Sequence, residues 1–192
     1  MKKIVNTIRS AGMPKILFRS AGMPTLLLIV LCAALCVGCT RDANDPDVAA
    51  MRQLVDRVVP EYSKHIVLEK FSGDTVDRFE LESKGRKLII RGNNANSMAV
   101  GLNHFLKYYC LAQYSWFKEE ALEVPSTMPK VPETVSLSAL VPERFFLNYC
   151  TYGYTMPWWD WEQWEHFIDW MALNGINLPL AITGQESVWY EV

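Results

Sequence analysis

A chain of 192 residues, half of them apolar and 21% charged, with a formal net charge of −2, has the composition of an ordinary globular protein. It has no basic excess, which argues against nucleic acid as a partner. The length allows one modest core, or a small domain together with a piece of another.

Residues 1–39 read as a leader to be set apart from the fold. Lys2, Lys3, Arg9, Lys15 and Arg19 precede an uninterrupted apolar run at 26–37, whose 12 residues fall short of the roughly 20 that a membrane-spanning helix needs. The run ends in Leu35-Cys36-Val37-Gly38-Cys39, which resembles a bacterial lipoprotein cleavage box with Cys39 as the lipidated residue and Cys36 where the pattern usually has Leu. Lipid anchoring is therefore expected ahead of plain secretion or a membrane-spanning anchor. The hexapeptide RSAGMP occurs at 9–14 and again at 19–24, too short a repeat to build a fold. A duplicated leader accounts for it, as does a start codon placed too early, since Met13 keeps Lys15 and Arg19 ahead of the apolar run. Residues 40–47, with Asp42, Asp45 and Asp47, read as a solvated acidic tether. Such tethers resemble surface-export signals, so the anchor is expected in the outer membrane, with the protein on its periplasmic or surface face.

Residues 48–141 read as a small α/β domain. Within 46–70, Val48, Met51, Leu54, Val55 and Val58 recur at helical spacing after Asp45-Pro46, and Pro60 ends or interrupts the helix. Phe79 and Leu81 alternate with charged neighbours, Lys84-Gly85 turns the chain, and Leu88 and Ile90 alternate back, which predicts a β-hairpin. Asn93-Asn94 then caps a helix carrying Met98, Leu102, Phe105, Leu106 and Tyr109 on one side. Pro125, Pro129, Pro132 and Pro142 surround one short strand at 134–137, read as the closing edge of this domain and a stiff linker.

Residues 142–192 read as a β-α-β unit. The apolar, aromatic run at 144–150 suits a buried strand. Thr155 and Pro157 open a helix whose Trp161, Trp164, Ile168 and Met171 form an apolar stripe, and Asn174-Gly175 stops it. A second buried strand spans 176–182, and Thr183-Gly184 leads to a further helix near Ser187. The crossover length implies parallel strands. On an extended strand Phe146, Asn148 and Cys150 share one face and Leu147 and Tyr149 the other. The two strand ends thus offer Asn148, Cys150, Gln185 and Glu186 to one rim, the carboxyl end at which such sheets bind ligands.

Several residues have plainer readings. Trp158, Trp159, Trp161, Trp164 and Trp170 suit sugar-stacking platforms, but so many tryptophans around one helix more often pack the core. Glu162, Glu165 and Asp169 sit mid-helix, where solvated or locally paired acids outnumber catalytic ones. His65, His104 and His166 lack a second ligand at metal spacing and read as surface or packing residues. Asn148 suits a strand-end cap as well as a pocket. Glu186, at a strand's carboxyl end, is by position a candidate acid or base.

The segment NYCTYGYTMPWWDWEQWEHFIDWMALNGINLPLAITGQESVW resembles the stretch that opens the catalytic barrel of the α-N-acetylglucosaminidases, glycoside hydrolase family 89. The resemblance is carried by Asn148, Cys150, Thr151 and Tyr154 at the strand end, by Trp158 to Trp161, Trp164 and Glu165, by the run at 168–177, and by Gly184 to Glu186. It implies retaining removal of terminal α-linked N-acetylglucosamine from glycans by a (β/α)₈ barrel with two carboxylates. It also implies that Asn148 and Cys150 lie in the sugar pocket, that Tyr154, Gln185 and Glu186 support that pocket, and that the preceding hundred residues are the family's small N-terminal domain. The family's catalytic pair comes from later strands, so no residue here is assigned a catalytic role. No cofactor or metal is implied.

The expected fold class is therefore α/β: a small N-terminal domain of hairpin sheet and helices, then the first β-α-β portion of a barrel left incomplete. Cys32 and Cys36 leave with the leader and Cys39 carries lipid, so only Cys110 and Cys150 remain. A disulfide between them is not expected, because the resemblance puts Cys150 in a pocket and Cys110 in the other domain. A catalytic thiol is not expected either, since no recognisable motif sets a His beside Cys150. A full (β/α)₈ barrel takes roughly 250 residues and only 50 follow Pro142. The chain is thus expected to be the N-terminal fragment of a longer enzyme, inactive alone. A non-catalytic surface glycan-binding lipoprotein and a truncated pseudogene product are the competing expectations.

Overall fold

The computed structural model describes residues 45–192, apart from Asp74, Lys118, Glu119, Thr183 and the side chains of Gln185 and Glu186. The leader, Cys39 and most of the tether lie outside the described residues. Helix α1 (Pro46–Val58) starts where Asp45 accepts a hydrogen bond from the Asp47 N–H at 2.9 Å and Pro46 needs no acceptor. Its buried face is Val48, Met51, Leu54, Val55 and Val58, the expected stripe.

Pro60 ends that helix, but the chain does not continue as one helical element to residue 70. A 3₁₀ turn (Pro60–His65) leads into strand β1 (Ile66–Lys70). The strand pairs in parallel with β3 (Lys87–Gly92), which pairs antiparallel with β2 (Arg78–Lys84); β2 pairs antiparallel with β4 (Val135–Ser138). The sheet order is β1-β3-β2-β4. Gly85 supplies the left-handed residue of the β2–β3 turn, with φ +64°.

One face of this sheet is apolar and covered. Phe79, Leu81, Leu88 and Ile90 meet Met98, Leu102, Phe105 and Leu106 of helix α2 (Ala95–Tyr108), and all eight are buried. A Cβ on Gly101 of α2 would lie 3.1 Å from the Ile90 side chain, so glycine there lets helix and sheet approach. The other face carries charge: Arg91 of β3 donates to Glu69 of β1 at 2.6 Å and to Glu82 of β2 at 2.8 Å. Such cross-strand pairs tie neighbouring strands on the wet side.

After the linker, strands β5 (Phe145–Phe146) and β6 (Leu178–Pro179) pair in parallel, as the crossover length requires. They are shorter than the apolar runs at 144–150 and 176–182. Beyond Phe146 the chain turns into a one-turn helix, α3 (Thr151–Tyr154). Thr155 is the end of that turn rather than the start of the next helix. Helix α4 (Trp161–Leu173) opens at Asp160, whose carboxylate accepts from the Gln163 N–H at 3.1 Å while Gln163 accepts from the Asp160 N–H at 3.2 Å. That reciprocal box sets the start. Helix α5 (Gln185–Glu191) follows Gly184.

The buried face of α4 is also not the stripe read from spacing. Phe167, Asp169 and Leu173 are buried, whereas Trp161 is 68% and Ile168 44% exposed. An aromatic cluster turns the helix: Phe167 contacts Trp116, Phe146, Trp159, Trp164 and Trp170, with ring centroids 5.1–6.3 Å apart. Trp158 and Trp161 stay outside it.

Asp169 is neither solvated nor locally paired. It accepts two hydrogen bonds, both 2.7 Å, from Arg57 of α1. That bidentate contact raises the guanidinium's pKa further and binds α4 to the first helix. His166 is held at both ring nitrogens. Its Nε2 donates to the Ser115 carbonyl at 2.8 Å, and its Nδ1 is hydrogen-bonded to the Tyr114 hydroxyl at 2.6 Å. Burial pushes that tyrosine's pKa up.

Candidate functional site

At the amino end of the short sheet, opposite the rim, Arg144 organises both strands. Its backbone N–H donates to Asn177 at 2.8 Å, and its guanidinium donates to the Gly175 carbonyl and to Asp77, which also holds Asn94 at the start of α2. The first strand is thereby fixed against the turn before the second and against the N-terminal domain. On the carboxyl side, the Leu180 N–H donates to the Phe146 carbonyl at 2.8 Å, and the Tyr152 hydroxyl donates to the Leu180 carbonyl. Helix α3 is thus tied across both strand ends.

Asn148 and Cys150 lie between β5 and α3. Both are exposed, and Cys150 is a free thiol, as is the buried Cys110. They do not share a strand face, because the extended backbone has ended at Phe146; they are instead neighbours in the turn that begins α3. Asn148 accepts from the Thr151 N–H and from the Thr151 hydroxyl, each at 3.1 Å. Tyr154 is exposed and its hydroxyl lies 3.3 Å from that of buried Thr151. In the sequence Thr151 stands only as part of the strand-end motif. Its role as the side chain joining Asn148 to Tyr154 was legible in the Asn-x-x-Thr spacing, a common local cap.

Gln185 and Glu186 begin α5, directly after the left-handed Gly184; their side chains lie outside the described residues. Four clefts among the described residues are lined by residues other than Asn148 and Cys150. One cleft, about 810 Å³, lies between the 3₁₀ turn, the β2–β3 turn and the segment 121–130. A second, about 280 Å³, includes Phe79, His104, Arg144 and Gly175. Desolvation lowers the pKa of His104, in keeping with a packing role. Among the described residues no group of three His, Cys, Asp or Glu side chains is placed to hold a metal ion. No helix among them is long and apolar enough to cross a membrane.

Three of the four acids at α4 serve structure, while Glu162 is exposed. Asp160 caps the helix, Asp169 is bound by Arg57, and Glu165 lies 3.8 Å from the same guanidinium. Among the described residues, the turn before α3 offers a polar rim built on Asn148 and Thr151.

Two family models match the chain in succession. The one described as the α-N-acetylglucosaminidase (NAGLU) N-terminal domain matches residues 49–130, and the one described as the α-N-acetylglucosaminidase (NAGLU) TIM-barrel domain matches residues 144–192. A human protein named α-N-acetylglucosaminidase is 34% identical over 152 residues, covering 76% of this chain and 20% of its own length. The solved structure of a family 89 glycoside hydrolase from Clostridium perfringens with 2-acetamido-1,2-dideoxynojirmycin matches with a TM-score of 0.69 and 42% identity, over 73% of this chain and 16% of that one. A Clostridium perfringens structure in complex with its substrate GlcNAc-α-1,4-galactose matches with a TM-score of 0.68 and 41% identity, over the same shares. The chain thus spans about a fifth of the human relative's length and less of the clostridial ones.

Proposed function

Because this chain belongs to the α-N-acetylglucosaminidase family, glycoside hydrolase family 89, we propose that it is the N-terminal part of an enzyme that removes terminal α-linked N-acetylglucosamine from glycans with retention of configuration. The observation that carries the reading is the parallel β5–β6 pair, which lies within the match to the barrel domain and whose first strand runs out into exposed Asn148 and Cys150. The substrate class is that of the clostridial relative bound to GlcNAc-α-1,4-galactose.

Retaining hydrolysis takes two carboxylates about 5–5.5 Å apart, one as nucleophile and one as acid/base. With Asp160 capping α4, Asp169 and Glu165 facing Arg57, and Glu162 on a helix rather than at a strand's carboxyl end, we assign that pair to other strands of the barrel. This part contributes the start of the sugar pocket. Asn148 and Cys150 line it, and Tyr154, Gln185 and Glu186 support it. The basic, then apolar leader ending at Cys39 supports an exported lipoprotein held in the outer membrane through that cysteine.

The test is release of N-acetylglucosamine from GlcNAc-α-1,4-galactose by the full-length enzyme and by the purified segment 40–192. The full-length enzyme is expected to release the α-anomer first, and the segment to release nothing. Turnover by the segment, or none by the full-length enzyme, overturns the reading. Cys39→Ala is expected to abolish the lipid mass increment and release the protein from membranes; an unchanged mass and location would remove the anchor from the proposal.

A further inference from the structure

We infer that Thr151 is a positioning residue of the sugar pocket, fixing Asn148 so that this side chain meets a ligand only as a hydrogen-bond donor. The inference rests on the reading of Asn148 as a pocket-lining residue and adds how that residue is aimed and what it selects.

The argument starts from donor and acceptor counts. A backbone N–H can only donate, so the Asn148 amide atom 3.1 Å from the Thr151 N–H is its oxygen. The Thr151 hydroxyl, also 3.1 Å from that oxygen, donates to it as well. Its single proton is then used, and toward Tyr154, 3.3 Å away, the same hydroxyl is the acceptor. The relay runs in one direction, from the Tyr154 hydroxyl through Thr151 to Asn148.

Both acceptor positions of the Asn148 oxygen are filled from the protein side by a residue only 5% exposed. What remains for a ligand is the NH₂ group. Turning the amide over would set that group against the Thr151 N–H, donor facing donor, so the orientation is locked. The side chain therefore suits a hydroxyl or carbonyl oxygen of a sugar and disfavours a group that can only donate. Asn148→Asp, nearly identical in shape, removes the donor altogether.

The test is steady-state kinetics of the full-length enzyme on GlcNAc-α-1,4-galactose with Asn148→Ala, Asn148→Asp, Thr151→Val, Thr151→Ser and the double variant Asn148→Ala/Thr151→Val. Losing one aligned neutral hydrogen bond corresponds to roughly a 3–10-fold effect, which is the expected fall in kcat/KM for Thr151→Val. Thr151→Ser keeps the hydroxyl and is expected to stay within about twofold. Asn148→Asp is expected to lose as much as Asn148→Ala, and Thr151→Val to add nothing once Asn148 is Ala. If Asn148→Ala leaves kcat/KM unchanged, the pocket reading fails and the inference with it. If Asn148→Ala lowers kcat/KM but Thr151→Val does not, or if Thr151→Val costs the same with and without Asn148, the positioning role alone is overturned. Should Thr151→Val not fold, Tyr154→Phe probes the same relay from an exposed residue. A loss of about twofold that vanishes in the Asn148→Ala background supports the inference; an equal loss in both backgrounds overturns it.

Discussion

In the four-stranded sheet, Leu81 and Ile90 face each other in register and neither retains any exposure. In the two-stranded sheet, the register partners Phe145 and Leu178 are 60% and 49% exposed. The difference lies in what covers each sheet. The first has α1 and α2 over one face and an Arg91–Glu69–Glu82 ladder on the other. The second has α4 on one side and leaves Phe145, Leu178, Trp158 and Trp161 in water. The N-terminal domain has a closed core, and the barrel start leans on it through Leu173, Asp169 and Arg144 while its other surface is unsatisfied.

The largest effect should come from the closed core. Leu81→Ala removes side-chain volume at a position with no exposure, where such changes cost about 2–5 kcal/mol. Urea unfolding followed by far-ultraviolet circular dichroism is expected to show that loss. A cost below about 1 kcal/mol would mean the sheet is not sealed as described. Next comes the link between the two regions. Arg57→Ala strands the Asp169 carboxylate, 3% exposed, without its bidentate partner. Breaking a buried pair from one side costs about 3–5 kcal/mol; because the Arg57 side chain is itself 37% exposed, about 2–3 kcal/mol is expected. Arg57→Lys should recover only part, lacking the fork. If the tryptophan fluorescence of α4 and the circular dichroism of the sheet melt together in both variants, the regions form one cooperative unit.

How much of this was legible in the sequence follows the range of each interaction. The β2–β3 hairpin and α2 were readable because alternation at Phe79, Leu81, Leu88 and Ile90 and the cap at Asn94 are local signals. Strand β1 was not, because Ile66 to Leu68 carry too few residues to show a period and their partner, β3, arrives two elements later. The runs at 144–150 and 176–182 overstated their strands, since aromatic residues at a strand end look the same whether they join the ladder or pack on Trp170, as Phe146 does. The Arg57–Asp169 pair spans 112 residues and has no local signature. For the candidate site, the motif singles out Asn148 and Cys150, while strand alternation assigned them the wrong relationship because α3 starts at Thr151.

A smaller effect, present only in alkali, separates the regions by chemistry. Burial pushes the Cys110 thiol up to about 11 from an ordinary 9.0, and Tyr62, buried beside it, up to about 12 from 10.0. Both groups stay protonated in the folded chain after the unfolded chain has released its protons. Stability therefore falls as pH rises, from about 9 to about 11 for Cys110 and from about 10 to about 12 for Tyr62. Cys110→Ala should flatten the first interval in a pH series of unfolding midpoints. Equal slopes for the two proteins would show that the thiol is not held neutral by the core.

The smallest effect on stability, and the sharpest contrast with Leu81, is expected at Trp158. The side chain is large and apolar yet 92% exposed, so Trp158→Gln removes almost no buried surface. Substitutions at such places usually shift stability by no more than about 0.5 kcal/mol. The same change removes the most exposed ring from the uncovered side of the barrel start. In sedimentation velocity the purified segment 40–192 should therefore associate with itself more than its Trp158→Gln variant does. A drop in stability comparable to that of Leu81→Ala would place Trp158 inside a core and erase the distinction between the two sheets. An unchanged association constant would move the adhesive surface to the edge of the β5–β6 pair, where Phe145→Thr would then be the variant that lowers it.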